Sequence, residues 1–329
     1  MIFSGMRVLV TGASGFLGGR VTRRLMSLGA EVTATGRNRQ ALSRLGLPKH
    51  RTIATDLSDR ASVLSFEGPF DAVVHCAGST SPWGRLDDLR AANVETTRAA
   101  LSIAQRSHGC RFIHISSPTI YFRTQDQFGI REDAPLPSRP VNHYARTKRE
   151  AECLVQRSHA PSIILRLRSL YGPGDTKLLP GLVAAAEARP FPLMRGGQAR
   201  TDLTHVEDAV SAVMAALQSR SEISGRCYNI AGSETLSVKG AIEAICFHAG
   251  VNLRWRVTPV SLAMMMGRAF ETASAAKGWL RAPLATRYGL GLLAWSQTLD
   301  IHRARHELDW APQISFEDGL RETLETAFP

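Results

Sequence analysis

The chain reads as an α/β protein, a doubly wound parallel sheet followed by a smaller, mostly helical C-terminal cap. Two observations predict this. The first half alternates short β-branched runs with helical patterns, and the runs are apolar throughout, as strands covered on both faces must be. From about residue 173 that rhythm breaks into turns and longer helices, and residues 235–329 carry mostly helical patterns.

The elements follow in order. "RVLVTG" (7–12) is a strand, and the next segment places Phe16, Leu17, Val21, Leu25 and Leu28 near one face of a helix. Strands are then predicted at "EVTATG" (31–36), "RTIATDL" (51–57), "DAVVHCAG" (71–78), "CRFIHISS" (110–117) and "SIILRLRS" (162–169). A long helix from about Asp87 and a helix through "YARTK" (144–148) lie between the later strands. This is a Rossmann-type architecture, in which ligands bind at the carboxyl ends of the strands. Residues 1–172 are expected to form the dinucleotide-binding core and 173–329 the substrate-binding region. Within the latter, "VEDAVSAVMAALQ" and "CYNIAG" (about 204–232) should rejoin the sheet.

Composition narrows the function classes. The net charge is +11, but the basic residues are scattered rather than blocked, which argues against a nucleic-acid partner. Five cysteines with no CxxC pair argue against a disulfide framework and against a zinc site, so no metal is expected. The N-terminus carries no signal-peptide pattern and no apolar stretch approaches the ~18 residues of a membrane span. A soluble, cytoplasmic protein is expected.

"TGASGFLGGR" (11–20) follows a strand and opens a helix with Gly12, Gly15 and Gly18 spaced GxxGxxG. Glycine is needed where the chain turns sharply and where backbone approaches a pyrophosphate, and the helix N-terminus then offers unpaired N–H groups and a positive dipole end. Gly12, Ser14, Gly15, Phe16, Leu17 and Gly18 are therefore candidate cofactor-binding residues. The second strand ends "TGRN", with Arg37 where an NAD-specific site carries a carboxylate for the ribose 2′-hydroxyl. An arginine there can pair with a 2′-phosphate, so NADP(H) is expected, with NAD(H) as the alternative. Asp56 is a candidate for the adenine amine, and Ala77 and Gly78 would bring small-residue backbone beside the cofactor.

Tyr144 and Lys148 are four apart on a helix and share a face. An ammonium near a phenol favours ionisation, so Lys148 is expected to lower the Tyr144 pKa. Ser117, at a strand end, is the natural hydroxyl to orient a substrate oxygen.

Taken together these residues resemble the extended short-chain dehydrogenase/reductase family. The likeness rests on TGxxGFxG at 11–18, the Asp56–Leu57 pair, "HCAG", Asn93, Ser117 before "PTIY", YxxxK at Tyr144 and Lys148, and "YGPG" at 171–174. The resemblance implies that Tyr144 transfers a proton to or from the substrate oxygen, that Lys148 holds the nicotinamide ribose, and that Ser117 orients the carbonyl. It also implies a cofactor role for Leu57, a helix-kink or proton-relay role for Asn93, and a homodimer built on the YxxxK helix.

Many extended members act on nucleotide sugars through "RxxNxYGP" and "RDFxxVxD" segments. Here these read "RLRSLYGP" and "TDLTHVED", with Ser169 and Thr201 replacing the Asn and Arg that assist diphosphate binding, although Arg195 and Arg200 stand nearby as substitutes. The cap segments "PVSLAMMMGRAF" and "GWLRAPLATRYGLGLLAW" are apolar, and methionine suits irregular or lipid-like ligands as well as ordinary core. The pattern resembles the branch holding 3β-hydroxysteroid dehydrogenases, sterol 4-carboxylate dehydrogenases and 2-alkyl-3-oxoalkanoate reductases. That implies an NADP(H)-dependent oxidoreductase interconverting a ketone and a secondary alcohol on a hydrophobic substrate. A nucleotide-sugar epimerase or dehydratase with tightly bound NAD is the first alternative, and a noncatalytic NADPH-sensing regulator the second. Arg268, Lys277, Arg281 and Arg287 accompany the apolar segment, so peripheral contact with anionic lipid is an option, with a solvated helix face the preferred one.

Overall fold

Val8, Leu9 and Val10 retain no exposed surface, because their strand is covered on both sides and flanked by neighbours at both edges. In the computed structural model, which describes residues 3–220, 224–279 and 282–327, this strand is β1 (Arg7–Thr11) of a seven-stranded sheet. The others are β2 (Glu31–Gly36), β3 (Thr52–Ala54), β4 (Ala72–His75), β5 (Arg111–Ser116), β6 (Ser162–Leu167) and β7 (Arg226–Ile230). Their order is β7-β6-β5-β4-β1-β2-β3, and every pairing is parallel. The order reverses between β1 and β4, so a crevice opens at their carboxyl ends. The glycine loop after β1 and "HCAG" after β4 flank it.

Helices cover both faces. Phe16–Ser27 and Val206–Gln218 place Val21, Leu25, Val210 and Val213 in one cluster with β1 and β2. Thr96–Gln105 and His143–Gln156 place Ala100, Ile103 and Val155 in the opposite one. A Val or Leu buried this fully contributes about 1.5–3 kcal/mol.

The predicted strand at 51–57 is shorter, because Asp56 accepts hydrogen bonds from the backbone N–H and hydroxyl of Ser58 at 2.9 and 2.8 Å and turns the chain. The long helix from Leu86 to Gln105 is interrupted by a π segment at Ala91–Glu95.

In the cap, Leu178–Ala188, Val238–His248 and Phe316–Ala327 pack through Leu179, Val183, Ile245 and Leu320. The cap also carries a small sheet in the order Thr235–Ser237, Arg200–Asp202, Gln297–Leu299, Gln127–Ile130. Its last strand comes from the first half of the chain and ties the cap to the β5 side of the core. Among the described residues no helix is long and apolar enough to cross a membrane.

Candidate active site

Gly12 has a φ of +67°, and a Cβ placed there would stand 2.6 Å from the amide nitrogen of Ala77. A Cβ on Gly18 would stand 2.3 Å from the carbonyl oxygen of Gly12. Glycine is thus forced at both positions, by turn geometry and β4 contact at the first and by close helix packing at the second. The helix then begins at Gly15 with no side-chain cap and no acidic residue in its first turn, which leaves its leading N–H groups for an anion. Leu17 is buried in the core, so it offers its backbone and not its side chain. Ser14 packs against β2, where a Cβ on Gly36 would come within 2.5 Å of its hydroxyl. The loop forms a backbone cradle that fits a dinucleotide pyrophosphate.

At the ends of β2 and β3, the Arg37 guanidinium lies 4.0 Å from the Asp56 carboxylate, and the Arg37 side chain is 78% exposed. Hydrogen bonding from Ser58, with Arg37 assisting, holds the Asp56 carboxyl below the usual carboxylate range. Leu57 points into the second core cluster with Val63, Phe66 and Phe70. The Ala77 N–H donates to the Thr11 hydroxyl at 3.2 Å, and a Cβ on Gly78 would meet Asn93 Oδ1 at 2.8 Å and Lys148 Nζ at 3.6 Å. Asn93 lies in the π segment, is 2% exposed, accepts from the Ser79 N–H at 2.8 Å and donates to Thr147 at 2.9 Å. It thereby joins the loop after β4 to the YxxxK helix.

That helix, His143–Gln156, is capped by Asn142, whose side chain accepts from the Ala145 N–H at 2.8 Å. Tyr144, Lys148 and Glu152 lie on successive turns and are all buried. Ser117 follows β5 and interacts with the Tyr144 phenol. Tyr144 and Ser117 thus meet at the end of β5, and Lys148 stands one helical turn from Tyr144.

The electrostatics correct one expectation. Burial pushes the Tyr144 phenol up to about 12, opposed by its hydrogen bond with Ser117. Lys148 is not among the groups that lower it, and its ammonium donates to the carbonyl of Ile115 at 3.0 Å. Burial also pushes the Lys148 amine down to about 8, opposed by the Glu152 carboxylate. The Tyr144 phenol is consequently neutral at physiological pH.

Sequence reasoning missed several supporting groups. Tyr288, from the cap helix Arg287–Ala294, shares a hydrogen bond with Thr119 at 3.0 Å, and Thr119 shares another with Ser117 at 2.9 Å. Glu152 accepts from Ser116 at 2.5 Å and from two nitrogens of Arg166 at 3.0 and 2.7 Å. His75 and His114 lie buried beneath Lys148 and are held neutral by burial. Tyr288, His75, His114 and Arg166 carry no local spacing signal, since they act across the sheet or from the cap. Glu152, by contrast, follows Lys148 by one helical turn and Thr119 lies two residues after Ser117, signals that the sequence did hold.

The cap settles the standing of several other residues. Arg195 is held by Asp126 at 2.7 and 3.0 Å, and Thr201 accepts from Arg168 at 2.9 Å. Trp83, after β4, stacks on Trp279 at 4.3 Å. Met264 packs into a small cap cluster, while Met265 and Met266 are exposed. Arg281 lies outside the described residues.

Comparison with known proteins agrees with this geometry. Residues 8–231 match the model of the NAD dependent epimerase/dehydratase family. The uncharacterized protein YbjS of Escherichia coli is 32% identical over 97% of this chain and 96% of its own length. The 2-alkyl-3-oxoalkanoate reductase of Shewanella oneidensis is 27% identical over 95% of this chain and 84% of its own. Among solved structures, UDP-glucuronic acid 4-epimerase from Bacillus cereus, in complex with NAD, superposes with a TM-score of 0.72 at 23% identity, covering 98% of both chains.

Proposed function

We propose, from the premise that the chain belongs to the NAD dependent epimerase/dehydratase family, that it is an NADP(H)-dependent reductase of a ketone on a hydrophobic substrate. A long-chain 3-oxo acid or a 3β-hydroxysteroid-like skeleton is the substrate class. Relatives named as a 2-alkyl-3-oxoalkanoate reductase, a ketoreductase and a sterol-4-alpha-carboxylate 3-dehydrogenase support oxidoreduction at a keto or CH–OH centre.

The observation that carries the reading is the buried, protonated Tyr144 beside Ser117 at the end of β5. A ketone oxygen held by the Ser117 hydroxyl would take its proton from the Tyr144 phenol as the carbonyl carbon is reduced. A nicotinamide dinucleotide, cradled by the Gly12–Gly18 loop, supplies the hydride when bound. The Lys148 ammonium, held at Ile115, keeps a positive charge near the developing oxyanion. Phenol, hydroxyl and amine thus have separate tasks.

Two features support the finer reading. Arg37 projects into solvent beside Asp56, where a 2′-phosphate can reach its guanidinium. Arg195 and Thr201 are already engaged, by Asp126 and Arg168, which weighs against a diphosphate anchor in the place where nucleotide-sugar enzymes carry one. Titration with NADPH and NADH, followed by a turnover screen of long-chain 3-oxo acids, 3-oxosteroids and UDP-sugars, tests it. Turnover of UDP-sugars alone would defeat the proposal.

A further inference from the structure

Ser117 caps the short helical turn Pro118–Tyr121. Proline has no backbone N–H, so the first donor of that turn is the Thr119 N–H, which Ser117 Oγ accepts at 3.3 Å. The Thr119 hydroxyl lies 2.9 Å from the same oxygen, and the Tyr288 phenol lies 3.0 Å from the Thr119 hydroxyl. Each hydroxyl has one proton to donate and lone pairs with which to accept. When Tyr288 donates to Thr119, and Thr119 in turn to Ser117, the serine oxygen accepts from both the amide and the hydroxyl of Thr119. Its own proton is then left for the site. In the reverse polarity Ser117 would donate to Thr119 and hold no proton for a substrate oxygen. Against the burial that pushes the Tyr144 phenol up, Ser117 favours the ionised form of that phenol, and a hydroxyl does so by donating. The forward polarity is the one that agrees.

The cap holds Tyr288 in place. Its helix, Arg287–Ala294, is capped by Thr286, which accepts from the Gly289 N–H at 2.9 Å. Leu290 and Ala294 are buried with Met194 and Ala263. Gly291 lets the helix close on Phe122, since a Cβ there would stand 2.5 Å from Phe122 Cζ. The Tyr288 ring meets Phe122 edge-on, with 5.1 Å between centroids. These contacts set the phenol hydroxyl at Thr119, which is itself buried.

We infer that Tyr288 is a positioning residue, which acts through Thr119 to fix Ser117 as the hydrogen-bond donor to the substrate oxygen. The inference takes its substrate from the ketone reading above. It makes the reactive hydroxyl of the core depend on a seated cap, so that Ser117 is preorganised where charge develops on the ketone oxygen.

A double-mutant cycle over Tyr288 and Thr119, read by ketone turnover, tests it. Tyr288→Phe keeps the ring on Phe122 and removes one neutral hydrogen bond, so kcat should fall about 3–10-fold with KM little changed. Thr119→Val should cost roughly 10–30-fold, through two such bonds, and Thr119→Ser, which restores the hydroxyl, should recover most of that loss. In the Thr119→Val background Tyr288→Phe should have no further effect, because its route to Ser117 is already cut. NADPH affinity, measured by fluorescence titration, should be the same in every variant. Additive losses in the double variant would mean that Tyr288 acts on the substrate or on Tyr144 directly, and would overturn the inference. So would a Tyr288→Phe variant with wild-type kcat, or a Thr119→Ser variant no better than Thr119→Val. If wild type turns over a UDP-sugar and no ketone, the substrate reading alone fails, and the same cycle run on that sugar decides the role of Tyr288. A wild type that turns over neither overturns both.

Discussion

The ammonium of Lys148 donates to the carbonyl oxygen of Ile115 at 3.0 Å, so the catalytic helix is pinned to β5 two residues before Ser117. One turn earlier on the same helix, the Tyr144 phenol reaches the Ser117 region and is pushed up to about 12 by burial. On the proposed mechanism the amine is a buried charge fixed by backbone, and the phenol a neutral acid. This division suits ketone reduction, in which the substrate oxygen must gain a proton.

Tyr144→Phe removes the proton donor and leaves the aromatic packing intact. Turnover of a ketone substrate should fall about 10²–10⁴-fold, while NADPH affinity measured by fluorescence titration stays within a few-fold of wild type. Turnover equal to wild type would exclude Tyr144 as the acid.

The depressed Lys148 pKa has a definite sign for stability. Its folded value is about 8 against an ordinary value of 10.5, so between these pH values the unfolded chain holds the extra proton and stability rises with pH. Lys148→Met, which never carries the charge, should be the more stable form at pH 7 by on the order of 3 kcal/mol. That advantage should shrink steadily by pH 10. Urea unfolding of both proteins across this range measures it, and a pH-independent difference would contradict the burial argument. Ketone reduction by wild type should decline above about pH 8 as the ammonium is lost.

Glu152 is the acidic partner in this arrangement. Its carboxylate holds Arg166 through two nitrogens and accepts from Ser116, all within the core. Glu152→Gln leaves a buried guanidinium without its counter-charge, which costs about 3–5 kcal/mol. It also removes the charge that supports the Lys148 ammonium, so the alkaline decline in activity should move to lower pH. Denaturant midpoints and pH–rate profiles read the two effects separately. A stability loss with an unmoved pH profile would reduce Glu152 to a structural role.

What was legible in the sequence depended on how local the physics was. Gly12 and Gly18 could be read because a turn and a helix packed on its own strand leave a fixed spacing, and the Cβ clashes at both positions bear that out. Tyr144 and Lys148 could be read because four residues make one helical turn. The direction of the Lys148 amine could not, because Ile115 lies 33 residues away and only the parallel sheet brings it near. The link from Tyr288 to Thr119 spans 169 residues and arises from the cap folding over β5. Likewise Gln127–Ile130 showed no strand pattern, since its partner is Gln297–Leu299 in the cap. The pKa of Tyr144 was misjudged for a related reason, as spacing reports proximity and not burial.

Arg37 offers the sharpest test of cofactor choice. Its guanidinium is largely exposed and only loosely paired with Asp56, at 4.0 Å, so it is free to turn towards a phosphate at modest cost. A charged hydrogen bond of that kind is worth about 1.5–3 kcal/mol, and Arg37→Ala should weaken NADPH binding by roughly 10–100-fold. NADH has no 2′-phosphate, so its affinity should change little or improve slightly as the positive charge leaves the ribose end. Paired titrations of both cofactors against wild type and variant give four dissociation constants, whose ratio isolates the phosphate contribution from any general loosening of the loop. Equal losses for NADPH and NADH would mean that Arg37 shapes the loop without reading the phosphate.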